Sequence, residues 1–315
     1  MAAENRDGVA RADTAKAAPS GNLRGAVLMV AAMAGFAVED MLLKQAARAL
    51  PVGQIMMLFG GFGTLLFAAL AKARGDRLVQ RDLLHPVVWA KALAEMAGRL
   101  FYTLALALAP LSTVSALLQA SPLVVVAGAA LLFGERVGWR RWLAIAVGFL
   151  GVLIVLRPGI APSWGALAAL AGMLGFALRD LATRAAPKSL SNLVLGVYGF
   201  LALVPAGALL LAVTGSEGGT LPWPAPRDLA VIGAASVVGV ASYYALTAAM
   251  RMGEVGVITP FRYTRLVFAL ILAALVFGER PDLVTLLGSA VIVGSGIYTL
   301  LRARRMTQRA VAAEG

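Results

Sequence analysis

Two arginines stand near the middle of an apolar run. Arg262 and Arg265 lie in the run from about residue 255 to residue 277, which is long enough to cross a bilayer. A charged side chain at that depth costs about 3 kcal/mol on insertion scales, so it must face protein or water rather than lipid. Both share one helical face, and Pro260 predicts a kink just before them. The pattern indicates a substrate or ion site, with a buried ion pair as the alternative, and we expect Arg262 rather than Arg265 to contact the substrate.

A second apolar run, from about residue 87 to residue 109, also carries charges. Lys91, Glu95 and Arg99 follow one another at intervals of four residues, so they stack on one helical face, which Tyr102 continues. Glu95 is the most deeply placed carboxylate in the sequence, which makes it our candidate for carrying a coupling proton. The alternative is that Glu95 only neutralises nearby basic residues. We expect Glu95, Arg99 and Tyr102 to contact a substrate.

The residues needed for most metal sites and for a histidine-dependent triad are missing from the sequence. It contains no cysteine, which excludes disulfides, iron–sulfur clusters and thiolate zinc sites, and its single histidine is His85. One histidine cannot form a histidine cluster, and His85 lies in a polar stretch beside a proline. We therefore predict no metal, no cofactor and no catalytic residues.

The composition is that of a membrane protein that crosses the bilayer many times. Of the 315 residues, 60% are hydrophobic and only 14% are charged, whereas a soluble domain is about half apolar and a quarter charged. The net charge of +12 lies in short segments between apolar runs. Basic residues in such loops are typical of membrane proteins, whose orientation they determine. We therefore predict that the chain lies in a lipid bilayer and binds no nucleic acid.

Ten apolar runs, each close to the roughly 20 residues of a spanning helix, predict an all-α fold of ten transmembrane helices. The runs cover about 25–44, 53–71, 87–109, 112–133, 140–157, 164–183, 192–214, 228–250, 255–277 and 283–301. Polar composition predicts a disordered cytoplasmic tail over 1–22 and a basic cytoplasmic tail over 304–315.

The distribution of lysine and arginine predicts the orientation. With the N-terminus in the cytoplasm, 18 of the 28 basic residues fall in cytoplasmic segments, five fall on the other side, and the remaining five lie within the runs. Cytoplasmic segments of membrane proteins carry such an excess. We therefore expect a multi-pass protein of the cell inner (cytoplasmic) membrane with both termini cytoplasmic.

The chain repeats itself. Residues 35–44 resemble residues 175–184 at an offset of 140, and residues 130–136 resemble residues 274–280 at an offset of 144. The first repeat is expected to cover 23–159 and the second 160–303, with five helices each. Since five is odd, the two repeats must enter the membrane in opposite senses. Inverted repeats of this kind are typical of secondary transporters, whose substrate site lies near the midplane between the halves.

The helix count and several motifs resemble the drug/metabolite transporter superfamily, and within it the EamA-type permeases. The matching features are Pro122 in the fourth run, Gly134-Glu135 and Gly278-Glu279, and glycine-rich fifth and tenth runs. Asp40, Lys44 and the stretch Pro260-Phe-Arg-Tyr263 are similar to the subgroup that contains S-adenosylmethionine uptake carriers. The resemblance covers nearly the whole chain after residue 22. It implies the transport of a small molecule.

Repeat-related charged pairs are candidates for gating or coupling. Asp40 precedes Lys44 by four residues, and Asp180 precedes Arg184 by four. Local i,i+4 pairs, worth about 0.3 kcal/mol each, would explain both. The sharper hypothesis is a gate at each end of a pathway, with the two gates closing in alternation.

Uncharged polar side chains supply the remaining candidates for a substrate cavity. Tyr263 lies in the ninth run, Gln119 in the fourth and Tyr243 in the eighth. Each type of side chain also serves in helix–helix packing, which is the alternative role.

Together these features predict a secondary transporter, not an enzyme, that moves a small organic metabolite by alternating access. A zwitterionic or carboxylate-bearing substrate, such as an amino acid or S-adenosylmethionine, suits the basic residues, with Arg262 on the carboxylate and Glu95 or Asp40 on the cation. Riboflavin or another cofactor or drug is the alternative substrate. An intramembrane enzyme or a membrane scaffold is the alternative class. The expected partners are the substrate, the bilayer and a coupling proton, and the expected state is a monomer or homodimer.

The orientation is testable with reporter fusions. Fusions after residue 80, after residue 138 and at the C-terminus should report the cytoplasm, and fusions near residues 160 and 220 should report the other side, because the basic residues are divided 18 to five. A cytoplasmic signal near residue 220 would contradict the inverted-repeat topology.

Overall fold

The computed structural model describes residues 19–134, 137–157, 163–185, 189–214, 223–252 and 258–314, and the regular elements within them are all helical. A short 3₁₀ turn, Arg81–Leu84, precedes the third helix. The helices are α1 (Pro19–Ala46), α2 (Val52–Ala73), α3 (Pro86–Leu108), α4 (Leu111–Leu118 and Ser121–Phe133), α5 (Trp139–Leu156), α6 (Trp164–Ala185), α7 (Asn192–Leu201 and Leu203–Thr214), α8 (Pro226–Met252), α9 (a 3₁₀ turn, Thr259–Tyr263, then Thr264–Phe277) and α10 (Leu283–Glu314).

The predicted all-α fold is confirmed, and the helix count agrees with the ten apolar runs. Nine helices in the described ranges are long and apolar enough to cross a membrane. The tenth, α3, has 23 residues, but every 18-residue stretch of it contains Lys91, Glu95 and Arg99. The helix α3 is long enough to span a membrane, and its three charges distinguish it from the nine more apolar helices.

Helices of one half pack mainly on helices of the other half. The most extensive contacts are α1 with α8, α2 with α7, α3 with α6 and α5 with α10, followed by α1 with α9 and α4 with α6. If the halves are exchanged, so that α1 becomes α6 and α3 becomes α8, the same set of pairs results. A pseudo-two-fold relation between inverted repeats requires this property.

Glycines allow α3 and α6 to cross at close range. A Cβ atom on Gly175 would lie 2.5 Å from Cα of Gly98, and one on Gly172 would lie 2.8 Å from the backbone nitrogen of Tyr102. Small residues let two backbones approach in this way. The crossing brings the charged face of α3 against α6.

Two prolines lie at irregular points of helices that the sequence predicted as continuous apolar runs. At Pro260, where the sequence predicts a kink, the helix is irregular: Ile258 is helical, Thr259–Tyr263 form a 3₁₀ turn with Pro260 in its first turn, and an α-helix continues from Thr264. Proline has no N–H to donate, so it interrupts the regular hydrogen bonding there. In α4, a break at Gln119 and Ala120 precedes Pro122, which opens the second segment. Arg262 and Arg265 therefore lie in the first turns of the described part of α9.

The α3–α6 crossing yields a prediction about folding. Gly175→Ala should lower the thermal unfolding temperature and the monodisperse yield, because the added methyl meets backbone atoms of α3 that cannot move aside. Gly233→Ala in α8 is the matched control, since nothing lies within 4 Å of the added atom. It should be neutral or slightly stabilising, as alanine is the better helix former. Equal effects of the two substitutions would contradict close packing at the crossing.

Candidate functional site

Charged side chains from four helices meet inside the bundle and form what we call the central ionic cluster. The four helices are α1 and α3 of the first repeat and α6 and α9 of the second. The members of the cluster are Glu39, Asp40, Lys91, Glu95, Arg99, Arg179, Asp180 and Arg265. Four of them, Glu39, Asp40, Lys91 and Glu95, are buried, the other four are partly buried, and each takes part in an ion pair. The cluster therefore joins the two repeats electrostatically.

An ion pair between α1 and α3 lies inside an aromatic cage. Arg99 donates a 2.7 Å hydrogen bond to Glu39, which is only 1% exposed. Three rings surround the Arg99 guanidinium, with centroids 5.0, 5.5 and 5.7 Å away, and they belong to Phe59, Phe176 and Phe200. Rings at this distance attract a cation through their quadrupoles. The cage is built by α2, α6 and α7, so it fixes Arg99 at the meeting of both repeats.

A second ion pair joins α1 to α9. Two nitrogens of Arg265 donate to one carboxylate oxygen of Asp40, at 3.1 and 2.6 Å, and the side chain also reaches the Tyr102 hydroxyl at 3.5 Å. Asp40 has no exposed surface. The ring of Phe36 lies 5.2 Å from the guanidinium. Arg265 is therefore held on several sides by its own protein, as a structural residue would be.

A third group of charges joins α3 to α6. Glu95 accepts hydrogen bonds from Lys91 at 3.2 Å and from Arg179 at 3.1 Å. Arg179 also donates to Asp180 at 2.8 Å. Glu39 and Arg179 occupy equivalent positions in the two repeats. On α3, Arg99 and Glu95 lie one turn apart and also have opposite charges. Arg99 pairs with Glu39 of the first repeat, and Glu95 pairs with Arg179 of the second.

These contacts decide several of the predicted pairings. The prediction that the charges of α3 share one face with Tyr102 is confirmed, and on this face Lys91, Glu95 and Tyr102 are buried. The predicted local pair of Asp40 with Lys44 is wrong, because Asp40 binds Arg265 and Lys44 binds groups at the end of α3. Asp180 pairs with Arg179. The side chain of Arg184 lies outside the described residues.

The uncharged candidates are distributed over several contacts. Gln119 donates a 3.0 Å hydrogen bond to the carbonyl of Tyr263, and these two residues are equivalent positions of the repeat at the offset of 144. Tyr263 is buried, with its hydroxyl against Gly296. Tyr243 lies edge-on to Phe67 with ring centroids 5.5 Å apart. Gln119 thus satisfies a carbonyl at the irregular start of α9, where α4 and α9 cross.

Arg262 differs from the other basic residues of the cluster region. Its guanidinium has no ion-pair or hydrogen-bond partner in the described part of the chain. It is partly exposed and lies three residues before Arg265, which is fully engaged with Asp40. A cation at this depth needs an anion or water. This contrast agrees with the expectation that Arg262 contacts a ligand, which the structure does not test.

Sequence reasoning missed Arg179, the cage of three phenylalanines and the partner of Asp40. The signal for Arg179 was present, since a basic residue replaces Glu39 at the equivalent position of the second repeat. The rings gave no signal, because isolated phenylalanines are ordinary in an apolar run. Only the packing of α2, α6 and α7 around α3 brings them together.

Comparison with protein families gives a match that covers most of the chain. Residues 23–157 and 163–301 each match the EamA-like transporter family. The first stretch contains α1–α5 and the second α6–α10, apart from the outer ends of α1 and α10. A solved crystal structure that is 23% identical has a TM-score of 0.59, and the match covers 90% of this chain and 98% of that one. This likeness extends the agreement to the fold of the whole bundle.

Characterised relatives are transporters with different names. The chain is 31% identical to a riboflavin transporter of Rhizobium johnstonii, over 65% of this chain and 66% of that protein. It is 24% identical to an S-adenosylmethionine uptake transporter of Rickettsia bellii, over 68% and 72% of the two chains. It is 27% identical to a pseudopaline exporter of Pseudomonas aeruginosa, over 85% and 93%. The relatives therefore agree on transport and differ in substrate and direction.

The pair between α1 and α9 gives a prediction about stability. Arg265→Leu should lower the monodisperse yield and the unfolding temperature, because it leaves the carboxylate of Asp40 buried without a partner, at a cost of about 3 kcal/mol. Adding Asp40→Asn to Arg265→Leu should recover much of the loss, since no buried charge then remains. The measurement is thermal unfolding with size-exclusion yield for the parent, Arg265→Leu, Asp40→Asn and the double variant. A double variant that is as unstable as the sum of its parts would contradict the pairing.

Proposed function

The chain belongs to the EamA-like transporter family of membrane proteins, and we propose that it is a secondary transporter of the cytoplasmic membrane for a small organic metabolite that bears a carboxylate. Zwitterions such as an amino acid or an S-adenosylmethionine-like compound are included. The mechanism is alternating access, in which the two inverted repeats rock about a site between them.

The observation that carries this proposal is a guanidinium close in sequence to the central ionic cluster, that of Arg262, for which the described part of the chain supplies no anion. Glu39, Asp40 and Glu95 are each engaged by arginine or lysine, whereas Arg262 has no partner among the described residues. A carboxylate on the substrate would supply the missing anion, because a guanidinium binds a carboxylate through two parallel hydrogen bonds. The positive end of a zwitterion would then lie toward Asp40 or Glu95.

The remaining candidate residues take supporting roles in this proposal. Arg99 and Tyr102 would contact the substrate from α3, and Tyr243 would contact it from α8. Gln119 and Tyr263 hold the start of α9, and so position Arg262 next to them in the chain. Glu95 is the proposed proton carrier, and it forms ion pairs with Lys91 and Arg179.

A riboflavin carrier is the second candidate. It is favoured by the 31% identity to the Rhizobium johnstonii riboflavin transporter, which is higher than the identity to the S-adenosylmethionine uptake transporter of Rickettsia bellii. Riboflavin carries no carboxylate, so it would not neutralise Arg262. The two candidates therefore differ in what they demand of that residue.

Flux in proteoliposomes tests the transporter proposal. Purified protein should accumulate labelled S-adenosylmethionine or a labelled amino acid in counterflow, above the level of protein-free liposomes, and excess unlabelled substrate should compete. Uptake of riboflavin alone would favour the second candidate. The absence of flux for a panel of carboxylate-bearing metabolites and riboflavin, with folded protein present, would favour a scaffold or an enzyme.

Arg262 and Arg265 should respond differently to lysine substitution. Arg262→Lys keeps the charge and removes the planar fork, so substrate affinity should fall roughly tenfold or more while folding survives. Arg265→Lys should be milder on affinity, because Arg265 is engaged with Asp40. The check is the dissociation constant of both variants together with their extracted yield. If Arg262→Lys binds like the parent and Arg265→Lys does not, the pocket lies one turn further along α9.

Proton coupling through Glu95 makes a separate prediction. Glu95→Gln should abolish uptake that is driven by a pH gradient and leave substrate exchange at zero gradient, because an amide cannot take up and release the proton. Gradient-driven uptake and exchange are compared in the same proteoliposomes. Loss of both at normal yield would assign Glu95 a structural or binding role between Lys91 and Arg179.

A further inference from the structure

Lys44 and Glu279 meet at the end of the bundle opposite to the one where α1 begins, which we call the distal face. Their charged atoms are 3.7 Å apart, and the side chains are 13% and 14% exposed. Lys44 also donates hydrogen bonds to the carbonyls of Leu106 at 3.1 Å and Ala109 at 2.5 Å. These carbonyls belong to the last turn of α3 and the residue after it, where the helix dipole is negative. Lys44 therefore caps the C-terminus of a neighbouring helix.

Glu279 caps the N-terminus of another helix. Its two carboxylate oxygens accept hydrogen bonds from the backbone nitrogens of Leu111 and Ser112, at 2.8 and 3.1 Å, and from the Ser112 hydroxyl at 3.0 Å. These groups open α4, where the helix dipole is positive. One ion pair thus binds the two helix ends that flank the turn between α3 and α4.

The backbone at the end of α9 presents Glu279 to α4. Gly278 has a left-handed conformation with φ of 66°, which ends α9, and the Glu279 nitrogen donates back to the Ala273 carbonyl at 3.0 Å. The helix thus stops at Gly278, and Asp282 rather than Glu279 caps α10 through the Thr285 nitrogen. Glu279 therefore does not cap α10 and instead contacts the start of α4.

The contact crosses the boundary between the repeats. Glu279 belongs to the second repeat, and Lys44 and the start of α4 belong to the first. Separation of α9 from α4 at this face would break three hydrogen bonds to one carboxylate and leave Lys44 without its anion. The same residue types recur at the equivalent positions of the other repeat, where Arg184 corresponds to Lys44 and Glu135 to Glu279. The contacts of these two side chains lie outside the described residues.

We propose that Lys44, Glu279 and the first turn of α4 form a latch that holds the distal entrance of the transport pathway closed and that opens when the distal side is accessible. The latch rests on the proposed alternating-access function. The latch gives the sequence motif Gly278-Glu279 a role: the Glu279 carboxylate of the second repeat binds the free N–H groups at the start of α4 in the first repeat. Release requires only that α9 withdraw from α4, since Gly278 is the point where α9 ends.

Cysteine labelling tests the latch without a substrate. The chain has no cysteine, so Ser115→Cys introduces a single reporter. Ser115 is 1% exposed and lies one helical turn beyond Leu111 and Ser112 on α4. In nanodiscs, a membrane-impermeant maleimide should label this cysteine slowly in the otherwise unchanged protein. In Glu279→Ala the rate should rise about tenfold or more, because the closed population loses its contacts to α4.

Two further variants keep the result interpretable. Lys44→Gln removes the ion pair and keeps the three hydrogen bonds of Glu279. It should therefore accelerate labelling less than Glu279→Ala does. If the Glu279→Ala protein does not fold, Lys44→Gln takes its place in the test. Asp282→Asn is the matched control, since it removes a charge from an exposed pair with Arg157 at the same face and leaves the latch intact. Thermal unfolding of each protein verifies folding.

The outcomes separate this inference from the proposed function. Labelling of Glu279→Ala and Lys44→Gln at the parent rate, or equal acceleration in Asp282→Asn, would overturn the latch. Substrate flux combined with such a result would leave the transporter proposal standing and remove only the latch. Faster labelling in both latch variants, with the control at the parent rate, would support the latch even if no tested compound is transported.

Discussion

The structure depends on the requirement that a charge buried at membrane depth be paired. Removal of one partner of a buried pair costs about 3 to 5 kcal/mol, which is comparable with the whole stability of many proteins. Adjacent acids on α1 meet two different helices, since Glu39 binds Arg99 on α3 and Asp40 binds Arg265 on α9. These two pairs fix the rotation of α1 about its axis more tightly than apolar packing could, because apolar faces tolerate sliding and ion pairs do not.

Pairing also connects the fold to transport. The cluster joins helices of both repeats near the middle of the bundle, and the contacts of Lys44 and Glu279 join the repeats at the distal face. In the proposed alternating-access mechanism, the contacts of Lys44 and Glu279 at the distal face break while the central ionic cluster is preserved. One end of the bundle then opens about a fixed centre. The arrangement of Glu39 and Arg179, with opposite charges at equivalent positions, makes the two halves electrically distinct despite their common fold.

The helices and the charged face of α3 could be predicted from the sequence. Which charged residues pair with one another could not. Hydrophobic runs report helix length, and spacing of four residues reports a shared face, so Lys91, Glu95 and Arg99 were predicted together. Asp40 and Arg265 are 225 positions apart, and periodicity does not say which helix lies opposite which. Local spacing therefore suggested Lys44 for Asp40, and tertiary packing prevailed.

A double-mutant cycle on Glu39 and Arg99 tests most directly whether buried ion pairs between helices stabilise the structure. Glu39→Gln, Arg99→Met and the double variant are compared with the parent by reversible unfolding in lipid–detergent micelles. The account predicts that each single substitution destabilises the protein and that the double variant loses less than the sum, with a coupling free energy of about 1 kcal/mol or more. Additive losses, within about 0.5 kcal/mol, would contradict it.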